Sequence, residues 1–235
     1  LIVQPGTKRI VLPLLAVLAL PVCSRQPEGI GGDTGASRQF SPQDWTTAGI
    51  PGDGGFLVEG EALVLAAGDP MSGVVLRANQ MELARLPVDN YRIAYQAMRA
   101  QGVDFFGSVT FPVHSLETCV TLVLGGWGGG LVGISSIDGL DASENATRSE
   151  QRFENDRWYD IVVEVAGGAI RVMIDGRLVV NVSVAGRRIG LRGGDIERCA
   201  PLGFATWRTC GHLRRVMIEV LDAGPERAGP GGVRN

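Results

Sequence analysis

The residues best equipped for chemistry lie in segment 136–145, Ser-Ile-Asp-Gly-Leu-Asp-Ala-Ser-Glu-Asn, which gathers Asp138, Asp141, Glu144 and the amide of Asn145. Carboxylates this close can work as general acid and base, or supply oxygen ligands to a divalent metal such as Ca²⁺. An EF-type loop is excluded: counted from Asp141, Ala146 stands where Gly is required and Arg152 where the bidentate Glu belongs. The same carboxylates could instead be solvated or paired with arginine, and Asp138-Gly139 is also a turn dipeptide. Trp127, set in Gly125-Gly-Trp-Gly-Gly129, is a second candidate. Its ring could stack on the CH-rich face of a sugar while the glycines let a ligand approach the backbone; core packing is the alternative. His114 and His212 are the only histidines, which excludes a His-rich metal site. Neither a Gly-x-Ser-x-Gly elbow nor the paired-carboxylate strand motif of jelly-roll glucanases, Glu-x-Asp-x-(x)-Glu, is present.

Bulk properties limit the partners. The chain has 235 residues, a formal net charge of −3 and Lys8 as its one lysine, so nucleic acid is not an expected partner. Arg187-Arg188 with Arg192 reads as a solvated turn, with anion binding as the lesser alternative. Lys8-Arg9 followed by the mainly apolar run 10–22 and Cys23 has the pattern of an export signal, too short at thirteen residues to span a membrane as a helix. Leu20-Pro-Val-Cys23 is similar to a bacterial lipobox, which would put a lipid anchor on Cys23; ordinary cleavage after Ser24 is the rival. Either route removes Lys8 and Arg9 and takes the net charge to −5. The expected location is the bacterial cell envelope, either periplasmic or membrane-anchored, or the exterior, and the expected state is a monomer. Cys199 and Cys210 could form a disulfide across a closed loop, or all of Cys119, Cys199 and Cys210 could be small buried hydrophobes.

The elements that must position these residues are strands. Residues 158–184 write three short strands, with Gly167-Gly168 and Asp175-Gly176 as the tight turns between them. Further apolar bursts fall at 56–58, 62–67, 91–98, 105–111, 119–124, 131–135, 202–207 and 213–221, with one helical turn at 81–86. About a dozen short strands without a long amphipathic helix predict an all-β fold of two sheets packed face to face. Trp45 and Trp158 read as core. The expected organisation is an export segment at 1–23, a flexible tether and lead-in at 24–52, the sandwich at 53–222 and a disordered tail at 223–235.

Taken in order, the blocks Asp104-Phe-Phe-Gly-Ser-Val-Thr-Phe-Pro-Val113, Gly125-Gly-Trp-Gly-Gly129, Gly133-Ile-Ser-Ser-Ile-Asp-Gly139, Asp141-Ala-Ser-Glu-Asn145, Arg157-Trp-Tyr159, Ile174-Asp-Gly-Arg177 and Pro201-Leu-Gly-Phe-Ala-Thr-Trp-Arg-Thr209 resemble the exported 3-keto-disaccharide hydrolase domain family over roughly residues 55–221. The resemblance implies a concanavalin A-like jelly roll of two antiparallel sheets that acts on carbohydrate. It also implies a chemistry. A 3-keto group acidifies the neighbouring C2 proton, so a general base with an oxyanion or metal stabiliser could expel the C1 substituent. The chain departs from the family at Gly203-Phe-Ala-Thr-Trp-Arg208, where the family's Gln falls on Ala205 and its His on Trp207. That role cannot be carried over. The candidates are therefore Asp138, Glu144 and Asp104 for catalysis, and Trp127, Asn145, Trp207 and Arg208 for carbohydrate contact, with a divalent metal as a conceivable cofactor. A non-catalytic carbohydrate-binding module and a structural envelope protein are the alternatives. A sugar site is favoured if Asp138 or Glu144 shares a groove with Trp127 and Trp207.

Overall fold

A computed structural model of the chain describes residues 36–222. The export segment, Cys23 and the tail from residue 223 lie outside the described residues. Among the described residues there are fifteen strands: β1 Ser37–Gln39, β2 Trp45–Thr47, β3 Phe56–Glu59, β4 Ala62–Leu65, β5 Met71–Leu76, β6 Tyr91–Gln101, β7 Ser108–Val113, β8 Ser115–Gly125, β9 Leu131–Ser135, β10 Ser149–Glu150, β11 Trp158–Ala166, β12 Ala169–Ile174, β13 Arg177–Ser183, β14 Gly203–Trp207 and β15 Cys210–Val220. One sheet has the order β13-β12-β11-β6-β15-β4-β3, with β1 also paired to β15; the other runs β10-β9-β8-β7-β14-β5-β2. Every strand pair is antiparallel. The all-β sandwich expected from the strand pattern is the observed fold.

The core between the sheets follows from period-two patterning. Along β6, Tyr91, Ile93, Tyr95 and Ala97 are buried while Arg92, Ala94, Gln96 and Met98 alternate to the outer face. Phe204 of the second sheet packs in T-shaped geometry with Trp45 and Tyr95 at centroid distances of 5.1 and 5.0 Å. Buried phenols need acceptors, and the Tyr95 hydroxyl donates to the Gly107 carbonyl at 2.9 Å. The hairpin turns fall where the sequence predicts them, with Gly167, Gly168, Asp175 and Gly176 all at positive φ. The anticipated helical turn is α1, Gln80–Leu83, capped by Asn79.

Several expectations need correction. The sandwich begins before residue 53: within the tether and lead-in at 24–52, β1 joins the first sheet and β2 the second, and Phe40, Trp45 and Ile50 are buried, Trp45 as expected. β5 was not foreseen because Ser72 and Gly73 interrupt its apolar run, although it pairs on both sides inside the second sheet. Trp158 is half-buried on the outer face of the first sheet, where the Arg214 guanidinium lies 4.0 Å from its ring centroid. Of the two cysteine alternatives the structure has the unbridged one: Cys119, Cys199 and Cys210 are all free thiols, the first two buried as expected and Cys210 only half-buried.

Candidate functional site

A groove of about 490 Å³ opens on the outer face of the second sheet. Strand residues form its floor: Ser108 of β7, Thr121 and Val123 of β8, and Ser135 at the end of β9. Phe105, Trp127 and Trp207 stand around it, and Arg192, Asp195 and Ile196 close the rim. The floor is made of small and hydroxylated side chains because alternation puts the bulky partners, such as Val109, Leu122 and Ile134, into the core. Each hydroxyl is already anchored: Ser108 Oγ accepts the Leu124 N–H at 3.0 Å, Thr121 Oγ1 pairs with Thr110 Oγ1 at 2.8 Å, and Ser135 Oγ donates to Asp141 Oδ1 at 2.7 Å. A hydroxyl with one bond satisfied retains capacity for a ligand.

The aromatic walls are set by unusual backbone. Trp127 adopts φ 50, ψ 50 between Gly125 (φ 78) and Gly128 (φ 85), a left-handed turn that turns its side chain out, leaving it 49% exposed. A non-glycine residue in this region costs about 1–2 kcal/mol. Asp104 holds the turn, since its Oδ2 accepts the Gly128 N–H at 3.0 Å while its Oδ1 accepts the Phe105 N–H at 2.8 Å. Behind it, a Cβ on Gly129 would meet the Val103 carbonyl oxygen at 2.5 Å and Arg99 Nη1 at 2.9 Å, so only glycine closes the turn. Trp207, 37% exposed, ends β14 with its ring 6.1 Å from that of Phe105.

The acidic loop turns out to be a clasp. Asp138 Oδ2 accepts Arg187 Nε and Nη2 at 3.0 and 2.8 Å, and its Oδ1 accepts the Arg188 N–H at 3.0 Å. The Arg187 hydrogen bonds, aided by the Arg188 N–H, hold the Asp138 carboxyl below its ordinary range. Asp141 pairs with Arg192 Nη1 at 3.0 Å, and backbone bonds from the Ser136 N–H to Gly190 O and from the Asp138 N–H to Arg188 O tie the two loops. This arrangement delivers Arg192 to the groove rim, 6.0 Å from the Trp127 ring centroid.

Of the candidate residues, Asp104, Trp127 and Trp207 line the groove. Asp138 and Glu144 do not, and the carboxylate that joins their loop to the groove is Asp141. Glu144 is exposed and accepts the Asp141 N–H at 3.3 Å. Asn145 is buried and its amide is consumed: Nδ2 donates to the carbonyls of Ile134, Leu140 and Asp141, and Oδ1 accepts from the N–H and hydroxyl of Thr147. Arg208 pairs with Asp69 at 3.2 Å away from the groove lining. Sequence reasoning missed Phe105, Asp195 and the floor hydroxyls, and read Arg192 as part of a solvated turn rather than as a groove residue. For the hydroxyls the available signal was period two, since polar residues interrupting apolar strands mark the solvent-side face of a sheet; Phe105, Arg192 and Asp195 lie outside the strands and had no such signal. For a divalent metal, the groove offers the carboxylates of Asp104 and Asp195, and no group of three or more His, Cys, Asp or Glu side chains is poised for a metal among the described residues. That falls short of the six to eight oxygens a Ca²⁺ ordinarily takes.

No protein-family model and no curated protein matches the sequence. Solved structures do resemble the fold. The Crh5 transglycosylase in complex with NAG superposes with a TM-score of 0.53 at 10% identity, over 80% of this chain and 86% of that one. A prokaryotic β-1,3-1,4-glucanase (lichenase) derived from a mouse hindgut metagenome gives 0.49 at 9% identity, over 79% and 98%. The carbohydrate-binding module CBM66 from Bacillus subtilis gives 0.47 at 14% identity, over 75% and 95%. The chain is thus a concanavalin A-like jelly-roll sandwich of two antiparallel sheets.

Proposed function

We propose that this protein binds an uncharged saccharide in the groove between Trp127 and Trp207. The observation that carries the reading is the pairing of two half-exposed tryptophans with a floor of anchored hydroxyls in a single groove. Aromatic faces take the CH surface of a sugar ring, and the hydroxyls and the free N–H groups of Arg192 take its oxygens. The charged groups of the groove argue for a neutral ligand. Arg192 is paired with Asp141, Asp195 with Arg198 at 3.5 Å, and both Asp104 oxygens accept backbone N–H groups, so none of these charges lacks a partner. The fold relative Crh5, which was solved with NAG, supports a saccharide as the ligand class. The N-terminal pattern adds an envelope location, reached either through a lipid anchor on Cys23 or by cleavage after Ser24, with the sandwich acting as a monomer.

Calorimetric titration with neutral oligosaccharides tests the reading. Trp127→Ala and Trp207→Ala should each weaken binding roughly 2- to 10-fold, the equivalent of about 0.5–1.5 kcal/mol per aromatic contact, while Glu144→Gln leaves affinity unchanged. Saturable binding that ignores both tryptophan substitutions would place the site elsewhere and end the proposal.

Cleavage of 3-keto-glycosides is a second reading, favoured by Asp104, the nominated carboxylate that stands at the groove. There it would act as the base that removes the C2 proton. An NMR time course with 3-keto-trehalose and 3-keto-lactose, with unoxidised sugars as controls, decides it: turnover lost in Asp104→Asn while saccharide affinity is kept supports the reading, since Asp104 also holds the Trp127 turn, and intact glycosidic signals refute it.

A further inference from the structure

The outer face of the second sheet carries a row of small residues crossing five strands: Gly73 of β5, Ala205 of β14, Ser108 of β7, Val123 of β8 and Gly133 of β9. At about 4.8 Å per strand this row is roughly 19 Å long, a natural bed for a polymer lying across the strands. Both ends are filled. At one end the short 3-10 turn Asp195–Cys199 sits on the sheet so closely that a Cβ on Gly73 would stand 3.0 Å from Cys199 Sγ and 2.7 Å from Ile50 Cδ1. A Cβ on neighbouring Gly203 would stand 2.5 Å from the Cys199 carbonyl oxygen. Ala205 is sealed in the same cluster with Ile50, Met71 and Cys199. At the other end a Cβ on Gly133 would meet Ala142 O at 3.0 Å and Thr147 Oγ1 at 3.1 Å.

Neither plug is a loose flap. Cys199 and Ala142 are wholly buried, Thr147 Oγ1 accepts the Ile134 N–H at 2.8 Å, and the Asn145 amide pins its loop to β9. Between the plugs the groove bottoms on Ser108, Thr121 and Val123, with Ser135 beside them, all buried at its base and Val123 packed against Leu131 and Ala142, a span of roughly 5–10 Å across the strands.

We propose that the groove recognises a short oligosaccharide or the end of a glycan chain, and that the interior of a polysaccharide cannot lie across it. This rests on the saccharide reading above. The test uses the full chain and calorimetric titration with neutral cello-, laminari-, malto-, xylo- and manno-oligosaccharides from dimer to hexamer, followed by the parent polymer of whichever series binds. Affinity should level off by the trimer, each later unit changing Kd less than about twofold. On the polymer, the number of binding sites should rise in proportion to chain ends when the polymer is cut by an endo-hydrolase at constant mass. Affinity that climbs through the hexamer, or a site number on the polymer that does not follow its chain ends, overturns this inference and leaves saccharide binding standing. Absence of binding in every series overturns both.

Discussion

Gly73→Ala probes the seat of the 3-10 turn that bounds the groove. No positive φ is involved, so the backbone accepts alanine, and a strand alanine in place of glycine gains about 0.5–1 kcal/mol. The added methyl meets Ile50 Cδ1 at 2.7 Å and Cys199 Sγ at 3.0 Å inside a buried cluster, and overpacking of this kind costs about 1–3 kcal/mol. The net loss should centre near 1 kcal/mol, a fall in Tm of about 2–4 °C for a domain of this size. Ile50→Val removes the offending Cδ1. Alone it should cost about 0.5–1.5 kcal/mol, but in the Gly73→Ala background it relieves the clash, so the double variant should be at least about 0.5 kcal/mol more stable than additivity predicts. Urea denaturation of the four proteins with a common m-value gives the coupling directly. Additive effects, or a Gly73→Ala variant more stable than the parent, would refute the packing argument and with it the fixed plug.

Other outcomes follow from buried and paired groups. Thr206 is fully buried on the core side with its hydroxyl unpartnered, so Thr206→Val should raise stability by about 1 kcal/mol in the same denaturation assay; a loss would mean the hydroxyl has a partner. Asp138 has a folded pKa below its unfolded value of about 3.9, so its contribution is present above that value and is lost as pH falls through the folded pKa. The Tm gap between the parent and Asp138→Asn, whose asparagine tolerates φ 55, should therefore be full at neutral pH and close below about pH 4. Burial pushes the Cys119 thiol to about 11 and the Cys199 thiol to about 12. At about pH 8 a thiol reagent should leave both untouched in native protein and modify Cys119, Cys199 and Cys210 once it is unfolded; a single reactive thiol among them would reveal a bridge.

The strands that repeat a clear period, such as β6 and the meander β11-β12-β13, were legible because alternate burial writes alternate hydrophobicity. β5 and residues 36–52 were not, since Ser72 and Gly73 are accommodated by what covers them, and short strands owe their pairing to distant partners. The site divided in the same way. Trp127 could be singled out because glycines on both sides announce an exposed turn. The acidic loop misled because three carboxylates in one segment look like a reaction centre until the arginines facing two of them, some fifty residues later in sequence, are in place.

The sequence by itself determined that the chain builds a sandwich, where its hairpins turn and which tryptophan stands in a glycine turn, because these depend on period and local φ preference. Only the tertiary structure decided that Asp138 and Asp141 clasp Arg187 and Arg192, that Asn145 is spent on its own loop, and that Asp104 reaches the groove. Charges find their partners through space, and which partner is nearest depends on strand order, which no local stretch of sequence encodes.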